Sequence, residues 1–179
     1  MPAPTPSQTV GPFYGYALPF AGGGDIAPAG HLDTITVHGC VRDGDGAPVP
    51  DALLEFWQPA GRPGAQRPGA PSPGSLRRNG VDFTGFGRVA TDADGRWVVR
   101  TLPPRAQTPY LSVCVFARGL THHLFTRAYI GEPPAEALPP AVPQERRGTL
   151  LAVPDGERTY RFDIHLQGEK ETVFLDFRG

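Results

Sequence analysis

Thr108-Pro109-Tyr110-Leu111-Ser112-Val113-Cys114-Val115-Phe116-Ala117-Arg118-Gly119 is the stretch whose reading decides the fold. Neighbouring side chains of a strand point to opposite faces. Leu111, Val113 and Val115 therefore share one face, and Tyr110, Ser112, Cys114 and Phe116 share the other. The same period of two, or a short apolar run, marks residues 34–41, 53–58, 87–91, 96–102 and 122–130 as strands. Asp94-Gly95 between the third and fourth of these predicts a hairpin turn. Near the end of the chain, Tyr160, Phe162, Ile164 and Leu166 alternate with Arg161, Asp163, His165 and Gln167. A turn at Gly168-Glu169 is predicted to lead into a last strand over residues 172–177. Many short alternating strands with Gly and Pro between them predict an all-β protein, an antiparallel β-sandwich.

Gly and Pro together form about a quarter of the 179 residues, a level at which disorder has to be considered. The 39% hydrophobic content and the alternation assign them instead to turns and long loops. Residues 59–74 hold five Pro and four Gly, so neither a helix nor a central strand fits there. Residues 131–144 are Pro-rich, with room for one helical turn at Ala135-Glu136-Ala137-Leu138. The first 30 residues show no helix or strand period. Phe13, Tyr14, Tyr16 and Phe20 nevertheless need a surface to pack on. The predicted organisation is an arm over residues 1–30, laid on a partner subunit, and one sandwich domain over residues 31–179.

The formal net charge of −1 leaves no electrostatic footprint for nucleic acid or an anionic membrane. Cys40 and Cys114 both lie in strand-like runs and read as buried free thiols, which fits a reducing compartment. The N-terminus lacks a basic cluster and an apolar core, and no apolar run can span a bilayer. The expectation is a soluble cytoplasmic protein.

Most catalytic chemistry finds no support in the pattern. His31, His38, His122, His123 and His165 include no His-x-His or His-x-x-His spacing, and there is no Cys-x-x-Cys. His122 and His123, consecutive on a strand, would face opposite ways. There is no Gly-x-Ser-x-Gly elbow, and no Gly-rich phosphate loop precedes a helix. Asp43/Asp45 and Asp92/Asp94 lack the spacing of a calcium loop and belong to tight turns.

One resemblance spans nearly the whole chain. Pro6-Ser7-Gln8-Thr9-Val10-Gly11-Pro12, Leu54-Glu55-Phe56-Trp57-Gln58, Phe86-Gly87-Arg88, Phe116-Ala117-Arg118-Gly119, Arg161-Phe162-Asp163-Ile164 and Gln167-Gly168-Glu169-Lys170-Glu171-Thr172-Val173-Phe174 carry it, in order and spacing. The sequence resembles the intradiol ring-cleavage dioxygenases, and within them the alpha type of subunit that holds no iron. The resemblance implies a beta subunit of similar fold that binds Fe(III) through two Tyr and two His, with alpha closing the cavity. It implies cleavage of protocatechuate with O2 to 3-carboxy-cis,cis-muconate, on the β-ketoadipate route of aromatic catabolism.

The ligand slots agree with that assignment. Where the beta chain carries two alternate His on a strand, this chain has Tyr110 and Ser112. Where the first Tyr ligand would follow Trp57-Gln58, it runs through Arg62-Pro63. The loop of the second Tyr is shortened to Pro103-Pro104-Arg105-Ala106-Gln107. No catalytic or metal-binding residue is therefore expected in this chain. The resemblance matches Thr9, Gly11 and Pro12 to the arm lining the substrate cavity. It matches Arg118 to an arginine at the cavity mouth, a permanent cation suited to an anionic substrate or to an interface ion pair. Two alternatives remain at this point: a stand-alone ligand-free sandwich that binds partners through the 59–74 loop, and a diverged intradiol dioxygenase that recruits iron with Tyr110 and acts on another catechol.

Overall fold

Strand β1 (Ile35–Arg42) shows how the sandwich is made. Ile35, Val37 and Val41 point inward and are buried, while Thr36, His38, Cys40 and Arg42 alternate with them and face outward. The computed structural model describes residues 5–59 and 75–177. The remaining strands are β2 (Leu53–Trp57), β3 (Phe86–Ala90), β4 (Arg96–Thr101), β5 (Tyr110–Phe116), β6 (Leu124–Ile130), β7 (Leu151–Pro154), β8 (Thr159–Arg161) and β9 (Ile164–His165). Of the predicted 59–74 loop, all but Pro59 lies outside the described residues, as does Arg62-Pro63.

The strands form one curled sheet in the order β3-β2-β5-β6-β7-β8-β1-β4, with β9 beside β1. The sheet folds over itself so that β3-β2-β5-β6 faces β8-β1-β4. Leu54 and Phe56 of β2 and Leu111, Val113 and Val115 of β5 meet Val37, Val41, Trp97 and Val99 from the other layer in one core. The Phe56 and Trp97 rings meet across the layers at 4.9 Å. Each such large side chain contributes about 1.5–3 kcal/mol on burial. The expected all-β sandwich is what the chain forms.

Its pairing is mixed. β1–β4, β2–β3, β2–β5, β5–β6 and β7–β8 are antiparallel, but β1 pairs parallel with both β8 and β9, and β6 pairs parallel with β7. The alternating segment over residues 160–166 is broken at Phe162-Asp163. There the chain passes so close beneath β1 that a Cβ at Gly39 would overlap the Phe162 carbonyl. The predicted last strand does not form. Residues 172–177 are extended but bond to loops and edges: Thr172 N–H to the His165 carbonyl and Leu175 N–H to the Phe125 carbonyl.

The Asp94-Gly95 turn is present, with the Asp92 amide donating to the Arg96 carbonyl. β3 and β4 do not continue it as a hairpin. β3 pairs with β2 and β4 with β1, so the turn carries the chain from one layer to the other. Within the first 30 residues, one turn of helix, α1 (Tyr14–Ala17), interrupts the irregular arm. Ile26 is fully buried in the core, and the Ile26 and Ala27 amides both donate to the Arg100 carbonyl. Gly23 lies against the Arg88 carbonyl so closely that no Cβ fits. This latter part of the arm is thus stitched to the chain's own β3 and β4. A 3₁₀ turn forms at Ala135–Ala137, where one helical turn was expected, and a second, unanticipated one spans Gln144–Leu150.

Candidate functional site

The antiparallel registers set out the outer face of the β3-β2-β5-β6 layer row by row. Ser112 lies beside Trp57 on one side and Arg127 on the other. Cys114 lies between Glu55 and Phe125, and Tyr110 beside Tyr129. Trp57 stacks on Phe86 with ring centroids 4.5 Å apart. Tyr110 and Ser112, which the resemblance sets in the strand slots of the iron site, open onto this face. So does a cation that sequence reading missed: the Arg127 guanidinium sits 4.3 Å over the Tyr110 ring and donates to the Tyr129 hydroxyl at 3.3 Å. The Tyr129 hydroxyl in turn donates to the Ala137 carbonyl at 2.8 Å.

Ferric iron, the metal of the intradiol family, does not fit these residues. Ser112 is a poor ferric donor and Tyr110 is a lone phenol held under a positive charge, whereas a ferric site needs several anionic or imidazole ligands. The shortened loop at residues 103–107 closes on itself, with the Thr108 amide on the Arg105 carbonyl. Among the described residues no group of three or more His, Cys, Asp and Glu could hold a metal ion. The histidines are scattered: His38 pairs with Asp155 at 2.9 Å, His122 with the Ser7 hydroxyl at 3.1 Å, and His123 lies between the Phe116 and Phe125 rings. Both cysteines are free thiols. Burial, then the Glu55 charge, pushes the Cys114 thiol up to about 12, so it stays protonated and inert.

The arm and Arg118 meet at one corner of this layer. Gln8 and Val10 of the arm, with Phe116, Ala117, Leu120, Thr121, His122 and His123 around the β5–β6 turn, line a cleft of about 240 Å³. Thr9 and Pro12 are exposed, and Gly11 is half-buried with φ +78, a conformation that favours glycine. Arg118 follows β5 on the same turn. Its Nε forms an ion pair with Asp51 Oδ2 at 2.9 Å, so the carboxylate it faces is one of its own chain's. The other Asp51 oxygen accepts from the Tyr14 hydroxyl at 3.5 Å. Burial, with the Asp51 charge and hydrogen bond added, pushes the Tyr14 phenol up to about 12, against the opposing pull of Arg118. Asp51 carried no sequence signal and Tyr14 only that of an aromatic needing a surface, since each acts on a partner dozens of residues away.

The fold is shared with several solved structures. The dioxygenase domain of a dioxygenase–carbohydrate-binding protein fusion from Streptomyces sp. SirexAA-E superposes with a TM-score of 0.57 at 24% identity, over 93% of this chain and 99% of that one. Hydroxyquinol 1,2-dioxygenase from Pseudomonas putida DLL-E4 gives a TM-score of 0.54 at 20% identity, over 80% of this chain and 59% of that one. These place the sandwich in the intradiol ring-cleavage fold class. Sequence relatives are more specific. The protocatechuate 3,4-dioxygenase alpha chain of Burkholderia cepacia is 41% identical, and that of Pseudomonas putida 37%, with at least 96% of each chain covered. The chain belongs to the protocatechuate 3,4-dioxygenase alpha chain family, a subunit family of intradiol dioxygenases. No family model matches it. No helix among the described residues is long and apolar enough to cross a membrane.

Proposed function

We propose that this chain is the non-iron-binding alpha subunit of a complex in which a beta subunit holds Fe(III). The complex cleaves protocatechuate with O2 to 3-carboxy-cis,cis-muconate in the β-ketoadipate route, in the cytoplasm. The observation that carries the reading is the pair of strand slots, Tyr110 and Ser112, lying beside a guanidinium in a chain of this family. An intradiol enzyme built with such a chain has to take its iron from another subunit. The same guanidinium disfavours a diverged enzyme recruiting iron with Tyr110, because it would repel the metal.

Ferric iron in the partner supplies chelation of the catechol and activation of its ring. This chain's own residues orient the substrate and exclude water. Thr9, Gly11 and Pro12 form part of the cavity wall, with the bare backbone of Gly11 allowing close approach of the ring. Arg118 places a permanent positive charge near the ring carboxylate. The exposed aromatics of the arm, Phe13 and Tyr16, belong to the interface with beta.

Co-expression with an iron-binding beta chain, followed by O2-uptake assays, tests this. Arg118→Ala should raise KM for protocatechuate and leave catechol, which has no carboxylate, little changed. Equal losses on both substrates with assembly intact would remove Arg118 from the substrate site. Failure of the two chains to co-purify would remove the partner reading as a whole.

A further inference from the structure

Asp51 stands where three pieces of the chain meet. It is the residue before Ala52 and β2, its backbone is left-handed at φ 62, and its two carboxylate oxygens go to two different elements. Oδ2 holds Arg118 on the β5–β6 turn and Oδ1 takes the hydroxyl of Tyr14, the buried residue of α1. Gly15 of the same helix packs its backbone against the Asp51 Cβ. Few non-glycine residues adopt positive φ, and Asp and Asn are the side chains that tolerate it best.

We infer that Asp51 is a positioning residue that ties the N-terminal arm and Arg118 into one unit, so that both parts of the proposed substrate wall are set together. This rests on the reading that Arg118 and the arm act on the substrate. The contact given for Arg118 is at Nε, on Asp51 Oδ2, and it fixes the guanidinium on the β5–β6 turn. The Tyr14 phenol is kept protonated by its surroundings, as a donor to Asp51 must be. The Arg118–Asp51 pair is partly solvated, with side chains 62% and 38% exposed, so its worth lies in orientation more than in stability.

Asp51→Asn is the substitution of choice, since Asn accepts the left-handed backbone and keeps the side-chain shape while removing the charge. In the complex assembled with beta, it should raise KM for protocatechuate about two- to fivefold, the range of an exposed ion pair. It should leave kcat and the catechol KM unchanged. Added to Arg118→Ala it should cost nothing further, because the two residues act through one contact. Amide hydrogen exchange on the same complex reads the tie without any substrate: Asp51→Asn should speed exchange at residues 14–18 and 117–120 together. Tyr14→Phe should speed the first segment most and the second less, since the Tyr14 hydroxyl also lies against the Arg118 backbone amide. Unchanged exchange in both segments, or full additivity with Arg118→Ala, would overturn the inference. If Arg118→Ala proves indifferent to the substrate while exchange responds as expected, the tie stands and the substrate role of Arg118 falls.

Discussion

The two outward faces of this sandwich differ in kind. On the β8-β1-β4 side, His38, Arg96, Arg100 and Arg161 pair with Asp155, Asp94, Asp25 and Asp163, each pair at least partly exposed. On the β3-β2-β5-β6 side stand Trp57, Phe86, Tyr110, Phe116 and Phe125, and the charged residues of these four strands, all among the described residues, are Arg127 and a half-buried Arg88–Glu55 pair. Strand alternation forces an inner apolar face on both layers but leaves the outer faces free. A charged, paired outer face is finished in water. An aromatic one with Trp57 44% and Phe125 37% exposed is the composition of an interface core, and it is the face onto which Tyr110 and Ser112 open. Tyr110 and Ser112 share one surface with the exposed aromatics Trp57 and Phe125.

The contrast is tested most severely at Arg88. Its Nε and Nη2 both donate to Glu55 Oε1, at 2.9 and 2.6 Å, with each side chain 17% exposed. Arg88→Met would strand the Glu55 carboxylate among aromatics. Denaturant unfolding should show a loss of about 3 kcal/mol, in the range for breaking a buried pair from one side. Replacing both partners, Arg88→Met with Glu55→Leu, should recover most of it. A loss under about 1 kcal/mol for the single variant would mean that this face is as wet as the other.

Asp163 is the one charged-side group expected to matter comparably. Its Oδ1 accepts the Cys40 amide at 3.0 Å and its Oδ2 the Arg161 guanidinium at 2.7 Å. Burial alone would raise the Asp163 carboxyl, but the Arg161 hydrogen bond and charge, the Cys40 amide and Arg42 outweigh it and hold it below its ordinary value. A lowered carboxylate contributes stability that is fully present above the ordinary value of about 3.9 and is lost as pH falls through the folded one. Asp163→Asn should therefore be about 1–2 kcal/mol less stable than the parent at neutral pH. The gap should close in acid below about pH 4. A gap that stays constant with pH would assign the loss to packing.

How far the sequence reaches follows the same division. Period two told correctly that Leu111, Val113 and Val115 of β5 share one face, which is the buried one, because burial is written residue by residue. It did not tell which strand pairs with which. The 160–166 alternation looked like one strand and became two short parallel pieces, since a backbone crossing at Gly39 interrupts the ladder. Asp94-Gly95 gave the turn but not the change of layer. The resemblance singled out Tyr110 and Ser112, yet Arg127 and Asp51 were silent, because each takes its meaning from a partner set by the fold. No local spacing encodes a guanidinium over a ring two strands' length away.

Arg127 gives the next smaller effect. Arg127→Met keeps the aliphatic stem over Tyr110 and removes the cation–π contact and the bond to Tyr129. The expected loss is about 1 kcal/mol. Purified without beta, neither the parent nor this variant should carry stoichiometric iron or a visible tyrosinate-to-iron colour, measured by metal analysis and absorption. Iron in the variant alone would show that the guanidinium, and not the lack of ligands, keeps metal away.

The smallest effect is expected at Arg96, and it is the most useful control on the charged face. Its side chain pairs with Asp94 at 3.3 Å across a turn, with both partners more than two-thirds exposed. The turn itself does not depend on that pair, since the Asp92 carboxylate is bonded to the Asp94 and Arg96 backbone amides. Arg96→Ala therefore removes only a solvated ion pair, expected to change stability by less than about 0.5 kcal/mol. What remains of the effect should fade in high salt, where exposed charges are screened beyond a few ångströms. The measurement should be made twice, on the chain alone and on the complex with beta. If the charged side faces water in both, the two values agree. A loss that appears only on assembly would place Arg96 in a contact, and the interface would then have to wrap from the aromatic face round to the charged one.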